Sequence, residues 1–146
     1  MQFQQDFKDQ RVLVTGHTGF KGSWLCMWLS MLGAKVSGLS LEPDTCPNMF
    51  DVIAIRKDID HHLVDIRDQK KLEAAIAQIQ PKIVFHLAAQ PLVKQSYVDP
   101  INTFETNTMG TAYLLEALRQ TPSVQAVLCI TTDKVYHNAD LENGFV

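Results

Sequence analysis

A glycine-rich turn between an apolar strand and an apolar helix constrains the fold of this chain most. Residues 15–22 read Thr-Gly-His-Thr-Gly-Phe-Lys-Gly, so three glycines are spaced three apart. The turn follows the β-branched run Arg11–Thr15 and precedes the segment Ser23–Leu32, whose length and following Gly33 predict a buried helix. In such a turn one glycine permits the bend, one lets the backbone approach a pyrophosphate, and one lets the helix pack on the strand. The pattern therefore predicts a dinucleotide-binding turn at the start of a βαβ unit.

Strand and helix patterns alternate along the rest of the chain. Further strands are predicted at residues 35–40, 61–65, 82–87 and 125–130, helices at 67–80 and 101–120, and a loop with one helical turn at 42–58. One face of the long helix carries Phe104, Met109, Ala112, Leu115 and Leu118. Right-handed crossovers then predict an α/β fold: a Rossmann-like, doubly wound parallel sheet of strand order 3-2-1-4-5, truncated after strand 5.

Composition excludes several classes of protein. A net charge of −3 gives no basic surface for nucleic acid, and no apolar run approaches the roughly 20 residues of a membrane span. The N-terminus lacks the basic and apolar regions of a signal peptide. Cys26, Cys46 and Cys129 have no metal-ligand spacing, and the apolar segments around Cys26 and Cys129 predict burial. We therefore expect a cytoplasmic protein that binds no metal, nucleic acid or membrane.

An acid and a base are adjacent where the fifth strand is predicted to end. Thr132, Asp133 and Lys134 follow the apolar run 125–130. Ligands bind beyond the carboxyl ends of the strands in such sheets, so these three are candidate catalytic residues. The alternative is a solvated Asp-Lys pair in a polar loop.

The turn and the acid–base pair together resemble a known superfamily. Thr-Gly-x-x-Gly-x-x-Gly is similar to the turn of short-chain dehydrogenases/reductases, and Gly19-Phe20 to that of their extended branch, which modifies nucleotide sugars. Asp133-Lys134 resembles the nucleotide-sugar 4,6-dehydratases, in particular the subgroup that acts on CDP-glucose in deoxysugar (lipopolysaccharide O-antigen) biosynthesis. The resemblance implies an NAD-dependent, homodimeric lyase. It also implies that Thr132 hydrogen-bonds the sugar C4 oxygen, Asp133 protonates the departing C6 hydroxyl, and Lys134 is the base for the C5 proton.

The same resemblance assigns a cofactor site. The matching positions are Gly16, Thr18, Gly19, Phe20, Gly22, Ser40, Asp65, Ile66, Leu87, Ala88, Ala89 and Asn107. Asp65-Ile66 resembles an adenine-contacting pair, Leu87–Ala89 a segment beneath the nicotinamide ribose, and Asn107 a residue that ties its helix to the fourth strand. From the residues alone, Asp65 is also a candidate N-cap for the helix at 67–80, and the alanines are also compatible with plain packing.

The choice between NAD and NADP depends on the end of the second strand. An acidic residue there typically holds the adenine ribose of NAD. Here Ser40 is followed by Leu41 and Glu42, and no arginine stands immediately at the strand end to bind a 2′-phosphate. The pattern favours NAD and leaves NADP open.

Two adjacent histidines lie on the predicted third strand. Successive strand residues face opposite sides of a sheet, so His61 and His62 cannot form a simple paired ligand site. We predict structural roles for both.

Two features of the superfamily are missing from the 146 residues. No Tyr-x-x-x-Lys occurs in them, and we expect that they do not include the C-terminal substrate domain of the superfamily. We therefore expect residues 1–146 to be the N-terminal portion of an NAD(P)-binding Rossmann domain that does not complete the reaction alone. Its helix at 101–120 should expose apolar surface, and its fifth strand should have an open edge. The alternatives are another nucleotide-sugar dehydratase or epimerase, and a non-catalytic dinucleotide-binding remnant.

Overall fold

A computed structural model describes the backbone of residues 2–132 and the side chains of residues 5–132. The strands are β1 (Arg11–Thr15), β2 (Lys35–Ser40), β3 (Asp60–Leu63), β4 (Ile83–His86) and β5 (Ala126–Cys129). The helices are α1 (Gln2–Phe7), α2 (Phe20–Met31), α3 (Met49–Val52), α4 (Gln69–Ile79), α5 (Val93–Val98), α6 (Pro100–Phe104) and α7 (Thr111–Arg119). A 3-10 turn spans Ile55–Lys57, and a π-helical turn, Glu105–Gly110, joins α6 to α7. Every predicted strand and helix is present, whereas the sequence patterns do not predict α1 and α5.

The five strands form one parallel sheet in the predicted order, β3-β2-β1-β4-β5. Thr15, the last residue of β1, is in register with Leu39 of β2 and with His86 of β4. The carboxyl ends of these strands therefore lie at one edge of the sheet, which is where ligands bind in open α/β folds.

The sheet separates two apolar cores. The core that we call the α2 face packs α2 and α3 on the sheet and contains Val12, Val14, Cys26, Leu29, Val36, Phe50 and Ile55. The core that we call the α4–α7 face contains Leu13, Leu39, Ile66, Leu72, Ala75, Ile76, Ile79, Val84, Leu114, Ala117 and Leu118. Strand residues alternate between the faces, so the three central residues of β1, Val12, Leu13 and Val14, are all apolar because the strand is buried on both sides.

Helix α2 is less buried than its apolar sequence predicts. It begins at Phe20 rather than at Ser23, and its buried residues are Gly22, Ser23, Cys26 and Leu29. The opposite side of the helix is between 44% and 72% exposed at Phe20, Trp24, Trp28 and Met31, because one face of a sheet covers one side of a helix. The predicted glycine stop is present, with Gly33 at φ +83°. No helix among the described residues has the length and apolar character to cross a membrane.

The long helix predicted at 101–120 contains the π-helical turn Glu105–Gly110. A π turn bonds residue i to i+5, so it inserts an extra residue and rotates α7 relative to α6. The prediction of one shared face is wrong for Leu118, whereas the other four residues, Ala112 included, share the same exposure. Leu118 is buried, whereas Phe104, Met109 and Leu115 are exposed.

Both β5 and α6 have the exposed apolar surface that the sequence predicts. Leu128 and Ile130 are 52% and 48% exposed, and Ile101 on α6 is 68% exposed. Within the described residues β5 pairs with β4 alone. The prediction that Cys129 is buried is wrong because this edge is open, whereas Cys26 is buried and burial raises the pKa of its thiol to about 12.

Candidate functional site

The glycine-rich turn between β1 and α2 lies against the residues that follow β4. Gly16 has φ +74°, and a Cβ there would lie 2.7 Å from the backbone nitrogen of Ala88. A Cβ on Gly22 would lie 2.1 Å from the carbonyl oxygen of Gly16. A Cβ on Gly19 would meet the same oxygen at 3.3 Å and no other atom within 4 Å. Gly16 and Gly22 therefore close the turn against the protein, while Gly19 leaves space beside it.

Helix α2 starts without a side-chain cap. Its N-cap is Gly19, which has no side chain to accept a hydrogen bond from the first turn. The Ser23 hydroxyl shares its one proton between the carbonyl oxygens of His17 (3.0 Å) and Gly19 (2.8 Å) and so holds the turn on the helix. First-turn N–H groups have no partner within a helix and carry the positive end of its dipole, so this helix start is suited to a phosphate group.

Thr18 ties the turn to the end of β2. Its buried hydroxyl donates to the carbonyl oxygen of Leu41 (2.9 Å) and lies 2.8 Å from the Ser40 hydroxyl. Because Thr18 has one hydroxyl proton, Ser40 is the donor in the second bond. Ser40 keeps acceptor lone pairs for a ligand hydroxyl, while Thr18 holds the turn in place.

A pair of imidazoles packs beside the turn on the α2 face. Nε2 of the fully buried His17 is 2.6 Å from Nδ1 of His61, and the Phe50 ring packs edge-on to His17 with 5.3 Å between ring centres. Gly38 makes room for this ring, since a Cβ there would lie 2.4 Å from Cγ of His17. The outer nitrogens, Nδ1 of His17 and Nε2 of His61, are buried without a hydrogen-bond partner. Burial, followed by the neighbouring His61, lowers the pKa of His17 to about 4.

The two histidines of β3 have different partners. His61 contacts His17, whereas Nε2 of His62 is 2.7 Å from Oδ2 of Asp60. Burial also lowers the pKa of His61, so the His17–His61 pair is uncharged near neutral pH. Among the described residues, no group of three His, Cys, Asp or Glu side chains is placed to hold a metal ion.

The fold brings an arginine towards the end of β2, where the linear sequence has none. Arg56, in the 3-10 turn, pairs with Glu42 at 2.9 Å between Nη2 and Oε2. Its guanidinium carbon also lies 5.3 Å from the centre of the Phe50 ring. Sequence reasoning missed Arg56 because the loop after β2 had to fold back before the pair could form.

Asp65 and Ile66 follow β3, and the prediction that Asp65 caps the next helix is wrong. The N-cap of α4 is Asp68, whose side chain accepts a hydrogen bond from the backbone N–H of Lys71. The Asp65 carboxylate instead accepts hydrogen bonds from the guanidinium and the backbone N–H of Arg67. These bonds hold the pKa of Asp65 below its usual range. Ile66 is buried in the α4–α7 face.

The residues after β4 are held from two sides. The Ala88 N–H donates to the Thr15 hydroxyl at 3.2 Å, and the Leu87 N–H is shared between that hydroxyl (3.2 Å) and the Thr15 carbonyl oxygen (3.1 Å). The side-chain oxygen of Asn107 accepts from the Gln90 N–H at 2.7 Å, and its amide group donates to the Gln90 carbonyl oxygen at 3.0 Å. Asn107 thus ties its helix to the segment after the fourth strand rather than to the strand itself.

Of the predicted catalytic residues, Thr132 lies in the described part of the chain, where it is exposed and follows β5. The register of β5 with β4 pairs Cys129 with His86, so Thr132 follows at the same edge as the glycine turn. Asp133 and Lys134 lie outside the described residues.

The chemistry of this edge fits a dinucleotide. The uncapped start of α2 suits a pyrophosphate, and the acceptor lone pairs of Ser40 suit a ribose hydroxyl. Ala88 lies so close to Gly16 that a Cβ would fill the space between them, so the turn and the segment after β4 form one surface.

Comparison with known proteins identifies relatives of two enzyme types. The profile of the family described as GDP-mannose 4,6 dehydratase matches residues 13–143. CDP-glucose 4,6-dehydratase of Salmonella typhimurium is 48% identical over 95% of this chain and 39% of its own length. dTDP-D-glucose 4,6-dehydratase of Dictyostelium discoideum is 30% identical over 99% of this chain and 34% of its own length. The chain therefore spans about two fifths or less of these relatives.

Solved structures share the fold. An epimerase of Methanothermobacter thermautotrophicus matches with a TM-score of 0.84 at 25% identity, over 100% of this chain and 42% of its own. UDP-glucose 4-epimerase of Thermus thermophilus, in complex with NAD, matches with a TM-score of 0.69 at 36% identity, over 80% of this chain and 36% of its own. The family profile covers most of the sequence. This chain therefore belongs to the GDP-mannose 4,6-dehydratase family, among the nucleotide-sugar dehydratases and epimerases of the extended short-chain dehydrogenase/reductase superfamily.

Proposed function

We propose that this chain is the N-terminal, NAD-binding part of a CDP-glucose 4,6-dehydratase, a cytoplasmic lyase of deoxysugar biosynthesis. The observation that carries the proposal is the glycine turn, closed by Gly16 and Gly22 at the uncapped start of α2. The 48% identity to the Salmonella typhimurium enzyme supports the choice of substrate. We further propose that the intact enzyme is a homodimer, which the exposed apolar side chains of Ile101 and Phe104 support.

Each part of the site has a task in binding NAD. The N–H groups of residues 20–22, at the first turn of α2, bind the pyrophosphate, and Ser40 accepts a hydrogen bond from the adenine ribose. Asp65 and Ile66 contact the adenine. The segment Leu87–Ala89 supports the nicotinamide ribose, and Asn107 holds that segment through Gln90. When bound, NAD supplies a hydride acceptor for sugar C4 that later returns the hydride to C6.

The proposed elimination uses the residues after β5. Thr132 donates a hydrogen bond to the C4 oxygen, Lys134 removes the C5 proton, and Asp133 protonates the C6 hydroxyl as it leaves as water. Asp133 must be protonated to do this, which requires burial or substrate contact because a neighbouring cation favours the carboxylate. Lys134 must be desolvated to be a base near neutral pH.

A nucleotide-sugar epimerase is the second candidate, because solved relatives that hold NAD are UDP-glucose 4-epimerases. The two candidate functions differ in the residues expected after Thr132. Epimerases of the extended branch generally have small or neutral side chains at these positions. Adjacent acid and base groups serve the loss of water and have no task in inverting C4. The Asp133-Lys134 pair therefore favours the dehydratase.

Titration of the purified chain with NAD tests the proposed cofactor site. We expect saturable binding that Gly16→Ala abolishes, since the new Cβ would lie 2.7 Å from the Ala88 nitrogen at φ +74°. Gly33→Ala is the matched control: it places alanine at φ +83°, but its nearest neighbour is the Lys8 side chain at 3.6 Å. Circular dichroism should show both variants folded. Absence of binding to the unmodified chain at millimolar NAD would overturn the proposal.

Incubation with CDP-glucose and NAD tests how complete the site is. Since the chain has no Tyr-x-x-x-Lys, we expect no 4-keto product from the 146 residues alone. Turnover would show that oxidation at C4 uses another group of this chain.

A further inference from the structure

One histidine is buried at the carboxyl edge of the sheet without a role in the proposed chemistry. His86, the last residue of β4, lies on the α4–α7 face between two hydroxyls. Its Nδ1 is 2.6 Å from the Thr15 hydroxyl, and its Nε2 is 2.9 Å from the Thr111 hydroxyl. His86 is 4% exposed, and burial lowers its pKa. Both ring nitrogens have a partner, unlike those of His17.

The partners of the two hydroxyls determine where the protons are. The Thr111 hydroxyl donates to the Asn107 carbonyl oxygen at 2.8 Å, so it accepts from Nε2–H of His86. The Thr15 hydroxyl accepts from the N–H groups of Leu87 and Ala88, so its own proton is donated to Nδ1. This pattern requires a neutral imidazole with its proton on Nε2. A proton on Nδ1 would leave the Thr15 hydroxyl proton without an acceptor.

The chain of hydrogen bonds has a direction and two defined ends. It begins at the N–H groups of Leu87 and Ala88, passes through Thr15, His86 and Thr111, and ends at the carbonyl oxygen of Asn107. Asn107 lies in the π-helical turn, where backbone carbonyl groups depart from the regular helical pattern. The Asn107 side chain also clamps Gln90. The π turn therefore holds both ends of the segment 87–90. It bonds Gln90 directly through the Asn107 side chain, and it reaches Leu87 and Ala88 through Thr111, His86 and Thr15.

We propose that His86 is a positioning residue: as the neutral Nε2–H tautomer, it couples the π-helical turn to the Leu87–Ala88 backbone on which the dinucleotide rests. The part concerning the dinucleotide rests on the proposed function. The coupling itself rests on hydrogen bonds within the protein. His86 has no contact with ligand in this proposal and acts through Thr15.

The nitrogen resonances of the His86 ring test the tautomer directly. Long-range nitrogen–proton correlation spectra distinguish a protonated from an unprotonated ring nitrogen, and His86 is assigned through its loss in His86→Gln. We expect the Nε2–H form at neutral pH. A predominant Nδ1–H form or a charged ring would overturn the proposal.

Two matched threonine substitutions test the coupling. Thr111→Val removes the hydroxyl that joins His86 to Asn107. Thr121→Val is the control, because the buried Thr121 hydroxyl also donates to a helix carbonyl, that of Ala117 at 2.9 Å, whereas the ring partners of His86 are Thr15 and Thr111. We expect Thr111→Val alone to shift the amide resonances of Leu87 and Ala88 and to weaken NAD binding about tenfold. Thr111→Ser, which keeps the hydroxyl, should restore both readouts.

The outcomes separate the coupling from the cofactor site. Equal amide shifts and equal NAD affinities in the two valine variants would overturn the coupling, because a purely structural hydroxyl predicts equal effects. If the unmodified chain binds no NAD, the proposed function fails and the positioning of a dinucleotide fails with it. The ring and amide resonances still decide in that case whether His86 couples the π turn to Leu87 and Ala88.

Discussion

Two buried histidines lie on opposite faces of the same sheet edge, and the protein satisfies them in different ways. On the α4–α7 face, His86 has a hydroxyl partner at each ring nitrogen. On the α2 face, His17 pairs with another imidazole, and the outer nitrogen of each ring is buried without a partner. A neutral imidazole has one donor and one acceptor nitrogen, so the chain through His86 continues into hydroxyls on both sides, whereas the chain through the histidine pair stops at two buried nitrogens.

The difference shows how the glycine turn is held. On the α4–α7 face the turn is joined to the helices by directed bonds through Thr15. On the α2 face the His17 ring is held chiefly by shape, between Gly38 and Phe50. We therefore expect the α2 face to be sensitive to volume and charge, and the α4–α7 face to loss of single hydroxyls.

The largest expected effect on stability comes from a glycine-to-alanine substitution on the α2 face, compared with the same substitution on the α4–α7 face. In Gly38→Ala the new Cβ would lie 2.4 Å from the enclosed His17 ring, and we expect the free energy of unfolding to fall by about 3 kcal/mol. In Gly110→Ala the Cβ would lie 2.7 Å from both Cδ1 and Cγ1 of Ile66, a buried side chain that can change its rotamer, whereas the His17 ring is rigid. Because alanine also favours a helix, this variant should lose less stability than Gly38→Ala, about 1 kcal/mol. Urea denaturation measures both, and equal losses would contradict the comparison.

Mild acid should destabilise the protein through the α2 face. The pKa of His17 is about 4 in the folded state against 6.5 as the ordinary value, so the unfolded chain binds more protons between these pH values. The free energy of unfolding should therefore fall as the pH drops below 6.5, by about 2 kcal/mol between pH 7 and pH 5 from His17 alone. Urea denaturation at several pH values measures this slope. His17→Gln should remove most of it, leaving the smaller contributions of His61 and His86, whose pKa values are also lowered. An unchanged slope in that variant would contradict the assignment.

The smallest expected effect on stability, and a selective one on binding, comes from the Glu42–Arg56 pair. Both side chains are about half exposed, 53% and 49%, so Glu42→Gln should change the free energy of unfolding by less than about 1 kcal/mol. It should nevertheless release Arg56 and remove a charge that repels a 2′-phosphate. We expect NADP affinity to rise about fivefold relative to NAD, by calorimetric titration. Arg56→Gln is the control and should show no rise, and an unchanged ratio in Glu42→Gln would argue against a role of the pair in cofactor choice.

Local patterns were sufficient for the elements and their order. The glycine spacing placed the turn between β1 and α2, and it depends on residues close in sequence. The alternation of strand and helix patterns is also local, and right-handed crossovers convert it into the sheet order. Local patterns did not predict which side of a helix is covered. The π turn at Glu105–Gly110 rotates α7, and α2 exposes Trp24 and Trp28. Both outcomes depend on what packs against the helix.

The sequence by itself determined the fold class, the candidate dinucleotide turn and the family, since glycine spacing and apolar periodicity are local and the family motifs are written in linear order. Only the tertiary structure decided the partners of the polar groups. It paired His17 with His61, Arg56 with Glu42, and Thr15 with His86 and Thr111. The physical reason is that these contacts join residues far apart in the chain, and their distances exist once the parallel strands bring their carboxyl ends to one edge.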